Sequence, residues 1–330
     1  AMTPRQLENS GRITEPLYLA KGADRYKVIS WDEALRMATT KMKAAGPEKS
    51  FFYASGRASN EAGFLFQMLA RLFGTNYVNN CSYYCHQASG VGLGMALGTG
   101  AGTVRLEDLD HTDLYILIGA NPSSNHPRLM RSLMQIRRNG GRIIVINPVK
   151  ELGLMNFRVP SDVRSLLFGT DIASMYVQPH VGGDLALLTG IAKEVLAQHG
   201  QDTGFIAAHT DGFSALLEKL NQIEWPDIIA QAGVDHDTIR EIARQYIKAK
   251  NVVIGWCMGI THHLHGTRNV HAIANLALLR GMVGRDKAGL MPIRGHSNVQ
   301  GLGTVGVTPA LKQNMLERFE KRLGFQPPKS

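Results

Sequence analysis

The chain has 330 residues, 44% of them hydrophobic and 19% charged, a balance that supports a packed core and excludes a disordered chain. Its formal net charge of +9 attracts anions, but the basic residues are spread along the chain, so an anionic cofactor or substrate is expected and nucleic acid is not. Three cysteines exclude a disulfide framework, and no apolar run reaches the roughly 18 residues of a membrane span.

Residues 1–30 read as short extended pieces separated by turns. Ser30-Trp31-Asp32-Glu33 carries a capping box, Ser at N-cap and Glu at N3, which starts a helix through Ala45. Phe51–Ser55 reads as a strand whose polar outlet feeds a helix over Ala62–Phe73. That step offers Arg57 and free backbone N–H groups to an anion. The stretch Cys81-Ser82-Tyr83-Tyr84-Cys85-His86-Gln87-Ala88-Ser89-Gly90 follows. A thiol beside an imidazole, followed by small residues, reads as a metal-ligand loop opening a helix, where free N–H groups favour a thiolate. The competing reading is a cysteine buried as a small hydrophobe.

Leu114–Ile118 and Arg142–Ile146 read as buried strands, separated by a helix over Arg128–Arg138. This is a βαβ unit and hence a parallel sheet, in which ligands bind beyond the carboxyl ends of the strands. The outlets Gly119–Pro127 and Asn147–Glu151 are polar and carry no G-x-G-x-x-G, so the usual nicotinamide fingerprint is absent. Residues 151–181 read as irregular. Gly182-Gly183-Asp184 then leads into a helix over Leu185–His199, with Asp184 as N-cap and glycines that admit a ligand or simply make a tight turn. After further helices, Val252–Trp256 is a third buried strand, and its outlet holds Cys257, His262, His263 and His265, with zinc as the lesser reading. Gly289–Gly301 reads as irregular and sets Arg294 among amide and imidazole groups. A guanidinium there suits a two-point grip on a carboxylate or phosphate, against the alternative of a surface loop arginine.

The fold class is α/β: a Rossmann-like parallel sheet with helices on both faces, plus part of a second α/β domain. The order of Val28–Leu35, Gly74–Asn80, Cys85–Ser89, Gly119–Pro127, Gly182–Leu188 and Pro292–Gly301 resembles the catalytic subunits of the molybdopterin-guanine-dinucleotide oxidoreductases, in the formate dehydrogenase-like branch. The resemblance implies a bis-molybdopterin guanine dinucleotide holding molybdenum or tungsten, with Cys85 on the metal, His86 as catalytic proton acceptor and Arg294 orienting the substrate. It implies guanosine and phosphate contacts at Gly119, Asn121, Ser124, Asn147, Lys150, Gly182 and Asp184, and pterin contacts at Met258, Gly259, Thr261 and His262. Arg57 joins these as an anion contact, and His296 stands where the formate enzymes commonly carry Gln. Asn147 replaces a frequent Asp, and Tyr83-Tyr84 an Arg-bearing pair; the Cys-His pair favours formate over nitrate.

The implied plan is a remnant of an N-terminal β region over 1–30, the first part of an α/β domain over 31–80, a Rossmann-like dinucleotide-binding domain over 81–296 and a return segment over 297–330. The family normally adds a cysteine-bound 4Fe-4S cluster upstream and a barrel-like cap downstream. Three cysteines cannot build that cluster, so the chain reads as a fragment, consistent with its Ala1-Met2 start and abrupt Pro327-Pro328-Lys329-Ser330 end. Expected partners are a small anion such as formate and an electron acceptor that the sequence does not specify, in the cytoplasm. The alternative is a non-catalytic paralogue or assembly module that keeps the fold without the metal.

Overall fold

Five strands, most of them apolar throughout, build the sheet on which everything else is hung. In the computed structural model, which describes residues 2–328, these are β1 (Leu114–Ile118), β2 (Arg142–Ile146), β3 (Met175–Val177), β4 (Val252–Trp256) and β5 (Gly289–Pro292). Ala1, Lys329 and Ser330 lie outside the described residues. The strand order is β5-β4-β1-β2-β3, and every pair is parallel. Alternate residues of β1 serve different layers. Leu114, Ile116 and Ile118 join a core with α1 (Gln87–Leu97), α3 (Asp184–Ala197), α4 (His236–Lys248) and α5 (Gly266–Leu279), while Tyr115 and Leu117 join one with α2 (Pro127–Arg138). Burial on both faces explains why β1 and β4 read as unbroken apolar runs. Each fully buried Leu or Ile contributes about 1.5–3 kcal/mol. The order reverses between β1 and β4, which places a crevice beyond their carboxyl ends.

Cys81–Val299 forms one compact unit, containing this sheet; the chain up to Asn80 and the chain from Gln300 onward form the other. In the smaller unit Phe52–Ala54 pairs in parallel with Val78–Asn80. Ser30 Oγ accepts the Glu33 N–H at 3.1 Å, so the Ser half of the predicted box starts the helix Trp31–Ala45. Leu302 and Val307 pack with Phe52, Ala54, Ala70 and Val78, and Asn80 Nδ2 donates to the Val307 carbonyl at 2.6 Å.

Several expectations are corrected. The start is not all extended: Pro4–Asn9 is helical, closed by a capping box between Thr3 and Gln6, ahead of the hairpin Leu17–Tyr18 with Lys27–Val28. Residues 151–181 are not irregular. They hold the helices Leu152–Met155 and Val163–Phe168, the second capped by Asp162 on the Ser165 N–H, and then β3. Gly289–Gly301 opens with β5. Residues 151–181 also hold the short antiparallel pair Asn156–Phe157 with Thr170–Asp171, and the two strands missed in the main sheet are its edges, too short to show a period. The helix over Asn60–Phe73 starts two residues earlier than expected because Ser59 caps it, accepting the Ala62 N–H at 3.2 Å. Among the described residues no helix is long and apolar enough to cross a membrane.

Candidate active site

The crevice begins where the β1 and β4 outlets touch. Gly119 is left-handed (φ +56°), and a Cβ there would lie 2.8 Å from the Gly259 carbonyl carbon. A Cβ on Gly259 would lie 2.6 Å from Gly119 Cα and O, and the Gly259 N–H donates to the Gly119 carbonyl at 3.0 Å. Only glycines permit this approach. Beyond Gly119, Asn121 Nδ2 donates to Ser124 Oγ at 3.3 Å; beyond β2, Asn147 Nδ2 donates to the Val149 carbonyl at 2.7 Å, next to exposed Lys150. These predicted positions therefore lie at the carboxyl ends of neighbouring strands. Asp184 is not the expected N-cap. It is the first residue of α3, Gly183 is the cap, and the buried carboxylate faces His263 Nε2 at 3.6 Å. Burial raises its pKa. Gly183 approaches its own chain, since a Cβ would meet the Gln231 carbonyl oxygen at 2.4 Å; Gly182 (φ +88°) faces open space.

Cys85 closes the helical turn Ser82–Cys85 instead of opening a helix, and α1 starts at Gln87. The expected lowering of its thiol pKa by a helix N-terminus is not met. Burial pushes it up to about 11, with Cys257 and Cys81 adding to the rise and Arg294 opposing it. The turn Met258–Thr261 grips this loop: Thr261 Oγ1 donates to the Cys85 carbonyl at 2.6 Å, and His262 Nε2 donates to the Tyr84 carbonyl. Thr261 and His262 thus hold the loop with these polar atoms. Met258 is exposed beside them.

His86 is buried and neutral, its pKa lowered to about 4 by burial and then by the nearby Arg294 charge. Nδ1 lies 2.9 Å from Ser89 Oγ and Nε2 lies 2.9 Å from the Ile293 carbonyl. Both ring nitrogens of this imidazole are thus bonded inside the protein. Arg294 donates from Nη1 to Ser82 Oγ at 3.0 Å, and its charge bears on both Cys85 and His86. Arg57 stands in the smaller unit, in the loop before Asn60–Phe73.

Three side chains here keep buried polar atoms without a partner among the described residues: both ring nitrogens of His126, Nε of Arg294 and Nδ1 of His296. A Cβ on Gly295 would lie 3.5 Å from His126 Nε2, so this ring stands next to the residue following Arg294. Each orphaned group costs about 1–3 kcal/mol, which is the cost of a site kept ready for a polar ligand. Among the described residues no group of three or more His, Cys, Asp or Glu could hold a metal ion. The zinc reading is therefore not supported: His263 Nε2 lies 2.5 Å from the Gly259 carbonyl, as His262 engages that of Tyr84. One thiol beside orphaned donors fits a metal whose remaining donors come from an organic cofactor. The sequence reading passed over His126, Ser89 and Trp256. The only local hint was Ser89, one helical turn beyond His86.

A family model, molybdopterin oxidoreductase, matches residues 12–326. Protein YdeP of Escherichia coli is 40% identical over 336 residues, covering 98% of this chain and 44% of that protein. The F420-dependent formate dehydrogenase 2 subunit alpha of Methanococcus maripaludis is 30% identical over 304 residues, 92% of this chain and 42% of its own. The acetylene hydratase from Pelobacter acetylenicus shares the fold, with a TM-score of 0.67 at 19% identity over 85% of this chain and 37% of that one. The chain thus spans less than half the length of the curated relatives it matches. With 12–326 matched and the crevice, thiol and orphaned donors in place, the chain belongs to the molybdopterin oxidoreductase family, which implies a pterin cofactor holding molybdenum or tungsten.

Proposed function

We propose that this chain is the catalytic portion of a formate dehydrogenase-like enzyme, with bis-molybdopterin guanine dinucleotide as cofactor and Cys85 as the protein's ligand to the metal. The observation that carries the proposal is the gathering of Cys85, Arg294 and the unpartnered nitrogens of His126 and His296 in one unit. The 30% identity to a formate dehydrogenase alpha subunit supports it. When bound, the cofactor supplies a metal that takes the two electrons released as formate becomes carbon dioxide and a proton.

The chain's own residues do the rest. Arg294 is anchored at Nη1 by Ser82, which leaves its other N–H groups to bind and orient a carboxylate. Burial strengthens that grip, because the same charge pair attracts more strongly away from water. His126 and His296 supply polar contacts to pterin or substrate. Gly119, Asn121, Ser124, Asn147, Lys150 and Gly182 take the guanosine and phosphate end, making Cys81–Val299 the dinucleotide-binding unit, while Asp184 and Gly259 shape its floor. Arg57 is proposed as an anion contact of the smaller unit. A 4Fe-4S cluster of the whole protein draws on cysteines other than these three, and its electron acceptor and a cytoplasmic location belong to the same proposal.

The test is metal and pterin analysis of the full-length protein, followed by formate-dependent dye reduction. Molybdenum or tungsten with released pterin is expected, and Cys85→Ala abolishes dye reduction. Zinc or no metal in the wild type removes the enzyme reading in favour of a non-catalytic paralogue, and unchanged activity in the variant removes the ligand assignment.

A further inference from the structure

Trp256 Nε1 lies 2.9 Å from Ser89 Oγ, Ser89 Oγ lies 2.9 Å from His86 Nδ1, and His86 Nε2 lies 2.9 Å from the Ile293 carbonyl. For a ring carrying one proton the donor directions follow. A carbonyl only accepts, so Nε2 carries the ring proton; Nδ1 of that neutral ring accepts, so the Ser89 hydroxyl donates to it. An indole N–H only donates, so it fills a lone pair on Ser89 Oγ. Trp256 and Ser89 are 0% exposed and His86 is 2% exposed, so water does not compete for these bonds. The Ile293 N–H in turn donates to the Trp256 carbonyl at 2.8 Å, which closes the chain of bonds into a ring. Cys257 Sγ donates to the same Ile293 carbonyl at 3.2 Å, using its second lone pair. Both backbone polar groups of Ile293 are thus fixed, and the next residue is Arg294.

We infer that Trp256, Ser89 and His86 form a hydrogen-bonded strut that sets the backbone from which Arg294 reaches the anion. His86 and Ser89 are then positioning residues, acting on substrate through Arg294. The inference rests on reading Arg294 as the anion grip, and it assigns the imidazole beside the metal ligand a mechanical task in place of proton transfer. A strut of this kind is used up by its own bonds: both ring nitrogens of His86 are engaged within it.

Two measurements test it. In the loaded full-length enzyme, Ser89→Ala is expected to raise the KM for formate about fivefold or more, the effect of one lost buried hydrogen bond, with kcat changed far less and pterin content retained. Trp256→Phe, which removes a single N–H, shifts KM the same way by a smaller factor and serves if Ser89→Ala does not fold. A fall in kcat at unchanged KM would place His86 in the chemical step and overturn the strut. Independently of activity, histidine-selective 15N NMR of the full chain should show His86, identified by its loss in His86→Gln, protonated on Nε2 alone and disturbed by Ser89→Ala. A proton on Nδ1, or a ring indifferent to Ser89, would overturn the strut even in a protein that never oxidises formate. Absence of pterin with the tautomer as described would sink the functional proposal alone.

Discussion

The contact between Gly119 and Gly259 can be taken apart by three alanine substitutions. Gly98 has φ +72° and open space where a Cβ would stand, so Gly98→Ala costs only the left-handed backbone, about 1–2 kcal/mol. At Gly259 no left-handed angle is involved, but a Cβ would stand 2.6 Å from Gly119 backbone atoms. Backbone cannot swing away as a side chain can, so Gly259→Ala costs at least the usual overpacking, about 1–3 kcal/mol. Gly119→Ala meets both penalties, with φ +56° and a 2.8 Å contact, for a sum of about 2–5 kcal/mol. In a unit of about 200 residues each kcal/mol moves Tm by about 2–4 °C, so Gly98→Ala lowers it by about 2–8 °C and Gly119→Ala by about 4–20 °C. Thermal melts of the three variants measure this directly. Equal losses for Gly98→Ala and Gly119→Ala would show that the strand outlets do not touch as described, and the crevice geometry would fall with them.

Two further substitutions probe the scaffold. Arg138 and the Ser165 N–H hold the Asp162 carboxyl at about 2, below its ordinary 3.8, through bonds of 2.6 and 2.7 Å. A lowered folded pKa stabilises above the unfolded value, so this contribution is present above about pH 4 and disappears as pH falls toward 2. The Tm difference between wild type and Asp162→Asn should therefore shrink across that window, and a constant difference would refute the assignment. Tyr246, wholly buried, donates its hydroxyl to the Leu276 carbonyl at 2.8 Å, while the Arg280 N–H is bonded to Ala277 instead. Tyr246→Phe should cost about 1–2 kcal/mol in chemical denaturation, and no loss would mean that another donor serves Leu276.

What the sequence disclosed follows from burial. β1, β2 and β4 were readable because layers cover them on both sides, whereas β3 and β5 are edges whose identity depends on which strand they join. Ser30 and Ser59 show that a cap can be read from type and spacing, and Asp184 shows the limit. Its residue type suits a cap, but Gly183 takes that place and the carboxylate is buried toward His263, a neighbour 79 positions away in sequence (263 against 184). Cys85, His86 and Arg294 stood out by motif order, yet their bonding did not. The bonds of Thr261 and His262 to the carbonyls of Cys85 and Tyr84 appear only once the fold brings these segments together. Ser89 is marked only by its place one helical turn beyond His86, and Trp256 carries no local mark of the strut, because its ends meet only through the pairing of β4 with β5.

That pairing makes the outlet of β4 the reference for the whole site. Between Trp256 and His262 the chain sends an indole into the strut and a thiol to the Ile293 carbonyl, then lays Gly259 against Gly119 and puts Thr261 and His262 under the Cys85 loop. The Cys85 loop, Arg294 and the crevice beyond the strands are therefore not placed independently. Each is measured from the register in which Trp256 faces Ile118 on one side and Pro292 on the other. Because side chains alternate along a strand, a slip of one residue would turn Trp256 to the opposite face and carry Gly259 past Gly119. The apolar burial that holds β4 in register is thus the same energy that holds Cys85 and Arg294 in place. This is why a strand without a single reactive atom at work decides the geometry of the chemistry beside it.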